Sequence, residues 1–307
     1  MPFAWLSKLL ISGVSLGAVA YLGICISLWV GQNRLIFVPS AQMEGTPADV
    51  GLTYQEIWLP VGDNPSSTEK IHAWWIPRSH KTPKNEKVLL YLHGNGGNIS
   101  SNIGRAKRYQ KLGFSVLLID YRGYGRSVGA FPTEARVYQD AQIAWNYLVQ
   151  ERKIAPENIF IYGHSLGGAI AIDLAVRQPQ AAGVIVESTF TSLKQMAELE
   201  PRYRWLPIDF VLHQRFDSLK KVPRLKMPLL FIHGKQDSTV PAAMSQTLFE
   251  TATAPKQLLL IPEAEHNNVS SVGDERYNAA VEQFIQLVEQ SSHSSHFLRP
   301  ANSPSSK

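Results

Sequence analysis

The chain has 307 residues, of which 44% are hydrophobic and 18% are charged, and it contains one cysteine. This composition is typical of a folded protein with a substantial core, and a single cysteine excludes an internal disulfide and a cysteine-rich metal site. The formal net charge is +5, and no long basic run is interleaved with aromatic residues. We therefore expect no nucleic-acid partner.

The N-terminal segment predicts a membrane anchor. From Leu9 to Val30 there is no charged residue, and a helix needs about 20 residues to cross a bilayer. The alternative is a cleaved signal peptide and a secreted protein, because Ala18-Val19-Ala20 resembles a cleavage site. The apolar run continues beyond that site, which a cleaved peptide would not need. We favour a tail and uncleaved single-pass helix over residues 1–34.

The rest of the chain predicts an α/β fold. Leu35 to Val38 is a short strand or tether, and strands at 55–59 and 71–76 form an expected antiparallel pair at a sheet edge. Beyond them, apolar strands at 88–92, 114–119, 159–162, 184–186, 229–232 and 258–261 alternate with helices at 135–149, 169–176, 242–250 and 276–289. Such alternation predicts a mostly parallel central sheet with helices on both faces, here one domain over 35–290.

Two segments interrupt this alternation. Residues 189–226 form an insertion that mixes aromatic, basic and proline residues. It is either a small helical cap that covers a pocket with its apolar side, or an element whose basic side rests on anionic lipid and admits an acyl chain from the membrane. The polar stretch 291–307 is predicted to be disordered. The stretch contains His293 and His296 but no Asp, Glu or Cys, so we expect no metal site there.

The sequence Gly163-His164-Ser165-Leu166-Gly167 follows a predicted buried strand and leads directly into a helix of small residues. This is the strand–turn–helix context of a nucleophile elbow. A serine on so tight a turn has a strained backbone, and side chains two positions away on either side would collide with it. Ser165 is therefore the candidate nucleophile.

A serine nucleophile needs a base, and the base needs a third group that holds its tautomer. On such a sheet the expected chain order is serine, acid, histidine. Asp237 follows the strand at 229–232, and His266 follows the strand at 258–261. Glu187, at the end of another strand, is the competing acid, and a turn or helix cap is the structural alternative for Asp237.

Four other histidines are weaker candidates for the base. His93, His164 and His233 precede or adjoin strand ends, and we expect them to bond backbone groups locally. His213 lies in the insertion, too far from a fixed strand end.

A negative charge that develops on the substrate oxygen needs backbone N–H donors. One is expected from Leu166, immediately after the serine. The second is expected from Asn95 in the glycine-rich loop His93-Gly94-Asn95-Gly96-Gly97-Asn98. This loop lacks the lysine and spacing of a phosphate-binding loop, so we expect no cofactor.

Together these motifs resemble the α/β-hydrolases over about residues 88–289. The resemblance rests on 93–98, 120–127, 163–168, 233–237 and Glu265-His266. It is greatest for the serine aminopeptidase-like branch, and within it for membrane-anchored α/β-hydrolase domain proteins whose relatives include acyl-protein thioesterases. It implies the α/β-hydrolase fold, Ser165, Asp237 and His266 as a triad, and a structural role for 120–127.

Three classes of function follow. The first is a membrane-anchored serine hydrolase that acts on an acyl ester, a thioester or a lipid. The second is a peptidase or amidase with the same triad, which the absence of an acidic cluster for a free amine disfavours. The third is a non-catalytic membrane scaffold, which has no need of all three groups. The substrate is expected to be a small molecule, a lipid or an acylated molecule, and the oligomeric state is undetermined.

Overall fold

The computed structural model describes residues 3–62, 68–79 and 86–297. Its strands are β1 Val38–Pro39, β2 Gln55–Pro60, β3 Lys70–Ile76, β4 Val88–Leu92, β5 Gly96–Gly97, β6 Ser115–Ile119, β7 Ile159–His164, β8 Gly183–Glu187, β9 Leu229–Gly234 and β10 Lys256–Ile261. Its helices are α1 Phe3–Ile36, α2 Ile103–Lys111, α3 Glu134–Asn146, α4 Leu166–Arg177, α5 Leu193–Leu199, α6 Ile208–Val211, α7 Ser218–Lys221, α8 Ala242–Thr251 and α9 Val269–Phe297.

Eight strands form one sheet in the order β10-β9-β8-β7-β4-β6-β3-β2. The six strands from β10 to β6 are parallel to their neighbours, whereas β3 pairs antiparallel with β6 and β2 antiparallel with β3. The predicted mostly parallel sheet with an antiparallel pair at one edge is confirmed. The segment between β2 and β3 lies largely outside the described residues.

The sheet is covered on both faces, as the uniformly apolar strands predict. Every residue of β4, β6 and β8 is buried, which requires packing partners above and below. One face packs against α3, α4 and α8, and the other against α2 and α9. Because the strands are parallel, the loops after β4, β7, β9 and β10 converge at one edge of the sheet, here called the carboxyl edge.

The bounds of the terminal segments differ from those predicted. Leu35 and Ile36 belong to α1 rather than to a strand or tether, and β1 consists of Val38–Pro39, which pairs with β5. At the other end, α9 is kinked at Asp274 and continues to Phe297. Helix α9 therefore extends over residues 291–297 of the segment predicted to be disordered, and residues 298–307 lie outside the described part of the chain.

The insertion at 189–226 forms the predicted small helical cap, made of α5, α6 and α7. It lies beside α1, whose segment Ser7–Ile36 is apolar and long enough to cross a membrane. Gln32, a polar residue in this apolar helix, is 4% exposed. Its Oε1 accepts hydrogen bonds from the backbone N–H groups of His213 and Gln214, both at 3.0 Å, and its Nε2 donates to the Val211 carbonyl at 3.1 Å. The cap is thus attached to the apolar helix.

Candidate active site

Ser165 lies between β7 and α4 in a strained backbone conformation. Its φ is 54° and its ψ is −119°, a region that residues with a side chain rarely adopt. Two contacts from the end of β8 hold the turn: the Ser165 N–H donates to the Glu187 carbonyl at 2.8 Å, and the Thr189 hydroxyl donates to the Ser165 carbonyl at 2.8 Å. The serine hydroxyl is therefore presented at the carboxyl edge of the sheet.

The glycines around Ser165 are required by close backbone packing. A Cβ at Gly163 would collide with the carbonyl oxygen of Gly167, and a Cβ at Gly167 would collide with the carbonyl oxygen of Leu92 at the end of β4. The expectation was a collision with Ser165 itself. The nearest atoms are instead these two backbone carbonyl oxygens. Both glycines allow β7, α4 and β4 to approach closely enough to form the elbow.

The structure brings Ser165, His266 and Asp237 together in one chain of hydrogen bonds. The distance from Ser165 Oγ to His266 Nε2 is 3.0 Å, and that from His266 Nδ1 to Asp237 Oδ2 is 2.7 Å. An ionised carboxylate can only accept, so Nδ1 of the histidine carries the proton and Nε2 offers its lone pair to the serine hydroxyl. This is the geometry in which an imidazole can remove a proton from serine.

Asp237 is held as a carboxylate by four donors. Its Oδ2 is also 3.0 Å from His233 Nε2, and its Oδ1 accepts the backbone N–H groups of Thr239 and Val240, both at 2.8 Å. Burial alone would raise the pKa of Asp237, but the hydrogen bonds from His233, His266 and the Val240 N–H hold that pKa well below its usual range. The group beside His266 is therefore negatively charged.

The competing acid, Glu187, faces away from His266. Its carboxylate is fully buried and accepts the hydroxyl groups of Tyr162 and Tyr277 at 2.9 and 2.7 Å. Arg105 Nε lies 3.7 Å from the same carboxylate. Glu187 therefore belongs to a buried network on the side of α2 and α9, and its contribution to the elbow is its backbone carbonyl.

The expectation that the other histidines bond local backbone groups is correct only in part. His93 bonds the adjacent Gly94 carbonyl at 2.6 Å, as expected. His164 bonds a backbone carbonyl, but a distant one, that of His266 at 3.0 Å. His233 bonds Asp237 and the Ser245 hydroxyl rather than only local backbone. His213 contacts α1, its ring lying 5.2 Å from that of Trp29.

His164 supports the segment that carries His266. Burial, together with the nearby positive charge of Arg105, holds the pKa of His164 well below its usual value. The ring is neutral, and its Nε2–H donates to the His266 carbonyl. Arg105 supports the same segment because its Nη2 donates to the Asn267 carbonyl at 2.6 Å. Neither function is predicted from the sequence, and Arg105 lies in no motif that could have indicated it.

Asn95 and Leu166, the two predicted oxyanion donors, line the same cavity as Ser165 and His266. Asn95 is held through both its backbone carbonyl and its side chain. Its carbonyl accepts hydrogen bonds from the Val38 N–H at 3.2 Å and the Tyr124 hydroxyl at 2.8 Å. Its side-chain Nδ2 donates to the carbonyl of Ile36, the last residue of α1, at 2.8 Å. The apolar helix thus holds the loop that carries one predicted donor.

The cavity has a volume of about 1070 Å³, which is the size of a site for a small molecule or an acyl chain. Its walls come from three sources: the carboxyl edge of the sheet, the cap and α1. Apolar cap residues that face it include Leu193, Met196, Leu206 and Val211, and α1 contributes Leu28, Gln32, Leu35 and Ile36. Among the residues with described side chains, no group of three or more His, Cys, Asp or Glu could hold a metal ion.

Comparisons with known proteins agree with this architecture. A family model described as serine aminopeptidase, S33, matches residues 83–216. Protein bem46 of Schizosaccharomyces pombe is 32% identical over 257 residues, which cover 80% of this chain and 83% of that protein. The α/β hydrolase domain-containing protein 17B of Homo sapiens is 33% identical over 208 residues, 66% of this chain and 68% of that one. The chain belongs to the α/β-hydrolase superfamily.

A solved structure gives the same fold for this α/β-hydrolase. The Pyrococcus furiosus esterase Pf2001 superposes with a TM-score of 0.65 at 21% identity, covering 82% of this chain and 97% of that one. Family and fold together support hydrolase activity.

Proposed function

We propose that this α/β-hydrolase is a membrane-anchored serine hydrolase that cleaves an acyl ester, a thioester or a lipid through an acyl-enzyme. The observation that carries the proposal is the chain of hydrogen bonds from Ser165 Oγ through His266 to Asp237. A strained serine beside an oriented imidazole is the arrangement that nucleophilic acyl transfer requires. α1 supplies the anchor.

The reaction has two steps. Ser165 Oγ attacks the acyl carbon as its proton passes to His266 Nε2, and the N–H groups of Asn95 and Leu166 stabilise the oxyanion. The tetrahedral intermediate then collapses, and the departing alcohol or thiol takes the proton from His266. A water molecule, deprotonated by the same histidine, hydrolyses the acyl-enzyme and restores the serine hydroxyl. Asp237 remains ionised and stabilises the imidazolium.

The cavity wall favours an acyl substrate over a peptide with a free amine. Its charged lining residues include Arg105, Glu200 and Arg202. Glu200 is the carboxylate among them that could receive an ammonium group, and it lies 3.1 Å from Arg202. An α-ammonium would have to compete with this arginine. The description of the matching family as serine aminopeptidase nevertheless keeps amide hydrolysis as the second candidate.

A fluorophosphonate probe, which reacts with activated serines, tests the proposal on the full-length protein in detergent or vesicles. We expect labelling of the native chain and none of Ser165→Ala. Unreduced labelling of that variant would refute the nucleophile, and an unlabelled native chain would favour a non-catalytic scaffold. Esters, thioesters and amides that share one acyl group then separate the candidates, with ester or thioester turnover expected to exceed amide turnover.

A further inference from the structure

The cap, which packs against α1, exposes three large apolar side chains. Leu199 is 54% exposed, Trp205 51% and Phe210 85%. They stand at the end of α5, in the following turn and within α6. Isolated exposed apolar residues are common on soluble proteins, but these three lie in one small element that packs against an apolar helix. We call them the cap tip.

The contacts of the cap fix its level along α1. Lys8 and Arg34 bracket the uncharged stretch of this helix, and the hydrocarbon core of a bilayer takes up about 20 helical residues. Tyr21 belongs to every window of that length between the two charges. It also lies at least about 10 Å inside the end of the window nearer the cap. If α1 spans the membrane, Tyr21 is within hydrocarbon.

Tyr21 contacts the cap tip directly. Its hydroxyl donates to the Trp205 carbonyl at 3.0 Å, and the two rings are 5.6 Å apart. Further along α1, Gln32 bonds three more backbone groups of the cap. Irregular backbone is tolerated at membrane depth only where its polar groups find partners in the protein. Tyr21 and Gln32 provide such partners where the cap meets the helix.

We propose that the cap tip inserts into the apolar part of the bilayer beside α1, so that the active-site cavity opens to lipid. The inference rests on the proposed anchoring by α1, and it commits to the hydrocarbon of the membrane as the partner of Leu199, Trp205 and Phe210. Leu28 and Leu35, which line the cavity from α1, would form the route along which an acyl chain moves from the bilayer to Ser165.

Attraction of the basic cap residues to anionic lipid explains the structure less well. Arg202 pairs with Glu200 at 3.1 Å, and the Arg215 guanidinium bonds the carbonyl of Asp209 at 2.7 Å with the Asp209 carboxylate 3.6 Å away. Because these arginines have acidic neighbours within the cap, their charges are partly compensated. The three apolar side chains of the cap tip, in contrast, leave half or more of their surface uncovered.

A single-cysteine label measures insertion in the full-length chain. Cys25, the chain's one cysteine, is first replaced by serine, and Phe210→Cys is labelled with an environment-sensitive fluorophore in phosphatidylcholine vesicles. The matched control is Gln180→Cys, an exposed position just before β8 at the opposite edge of the sheet. We expect lipids with a quencher in the acyl chain to quench the label at 210 at least threefold more than the label at 180.

Three outcomes would overturn the inference: equal quenching at both positions, stronger quenching of position 210 by aqueous iodide than by lipid, and insertion that occurs only with anionic lipid. Fluorophosphonate labelling of the same vesicles tests the proposed hydrolase separately, since it reports on Ser165 and not on depth.

As a second experiment, Phe210→Ser should lower kcat/KM for a bilayer-resident long-chain ester roughly tenfold. It should change turnover of a soluble short-chain ester less than twofold. A parallel fall for both esters would also contradict the inference.

Discussion

Replacement of Ser165 by glycine should abolish activity and yet give a more stable protein than replacement by alanine. Both variants lose the hydroxyl that bonds His266 at 3.0 Å, so that loss cancels in the comparison. Alanine keeps a Cβ at a φ of 54° and a ψ of −119°, whereas glycine adopts positive φ without a steric penalty. The difference between the two variants therefore isolates the strain of the elbow.

Its magnitude can be estimated from the backbone angles. A non-glycine residue in a sparsely populated region costs about 1–3 kcal/mol, and glycine loses about 0.5–1 kcal/mol more than alanine through the entropy of the unfolded chain. The middle values of these two ranges differ by about 1 kcal/mol, and we expect Ser165→Gly to be more stable than Ser165→Ala by that amount.

The assay is urea unfolding of the two full-length variants in the same detergent, followed by tryptophan fluorescence. Both transitions should have the same slope with urea, so that the midpoints report stability alone. Neither variant should react with a fluorophosphonate. A glycine variant that is equally or less stable than the alanine variant would refute the idea that the elbow stores strain at this residue.

Three further predictions concern the groups around Ser165. Asp237→Asn should lower kcat/KM for a short ester by about 10³–10⁴-fold, and Glu187→Gln by less than tenfold; the reverse order would reassign the acid. Gln32→Leu leaves the N–H groups of His213 and Gln214 without their acceptor, so the free energy of unfolding should fall by about 2 kcal/mol. For a long-chain ester, KM should rise by a larger factor than kcat falls. An unchanged free energy of unfolding and unchanged kinetics would show that the cap does not need this contact. Because the folded-state pKa of Asp237 is depressed, its stabilising contribution is fully present above the unfolded-state pKa of about 3.9 and is lost as pH falls from there through the folded-state pKa. Urea titrations of native and Asp237→Asn proteins should differ by a constant amount above about pH 5, and the difference should shrink steadily as pH falls below about 3.9.

The sheet and the carboxyl-edge positions were predictable because each depends on a local pattern. Buried strands are continuous apolar runs, and Ser165, Asp237 and His266 each follow such a run directly. In a parallel sheet that position alone places side chains at one edge. The structure then brings the three within hydrogen-bonding distance, although the sequence separates Ser165 from His266 by a hundred residues.

Features that depend on packing between distant elements were not predictable. α2 was missed because Gly104 and several charged residues obscure its periodicity, although Ile103, Ala106 and Tyr109 all face the core. Bonds such as that from Arg105 to the Asn267 carbonyl join elements that no sequence spacing relates. The end of α1 was misplaced at Arg34 because a charge at the edge of an apolar run indicates the membrane boundary, not the end of the helix.

The junction between α1 and the sheet determines how the proposed enzyme would face its membrane. Ile36 ends α1 and accepts the side chain of Asn95, while the next strand, Val38–Pro39, pairs with Gly96–Gly97 of the same loop. Helix α1 therefore ends at the carboxyl edge, beside Ser165, and Phe37 is the single residue between it and β1. If α1 is the proposed anchor, this placement is the same whichever of its ends lies in the cytoplasm, since the contacts are internal to the chain. Topology would then decide which leaflet the enzyme meets, and the fold would direct its cavity toward that leaflet.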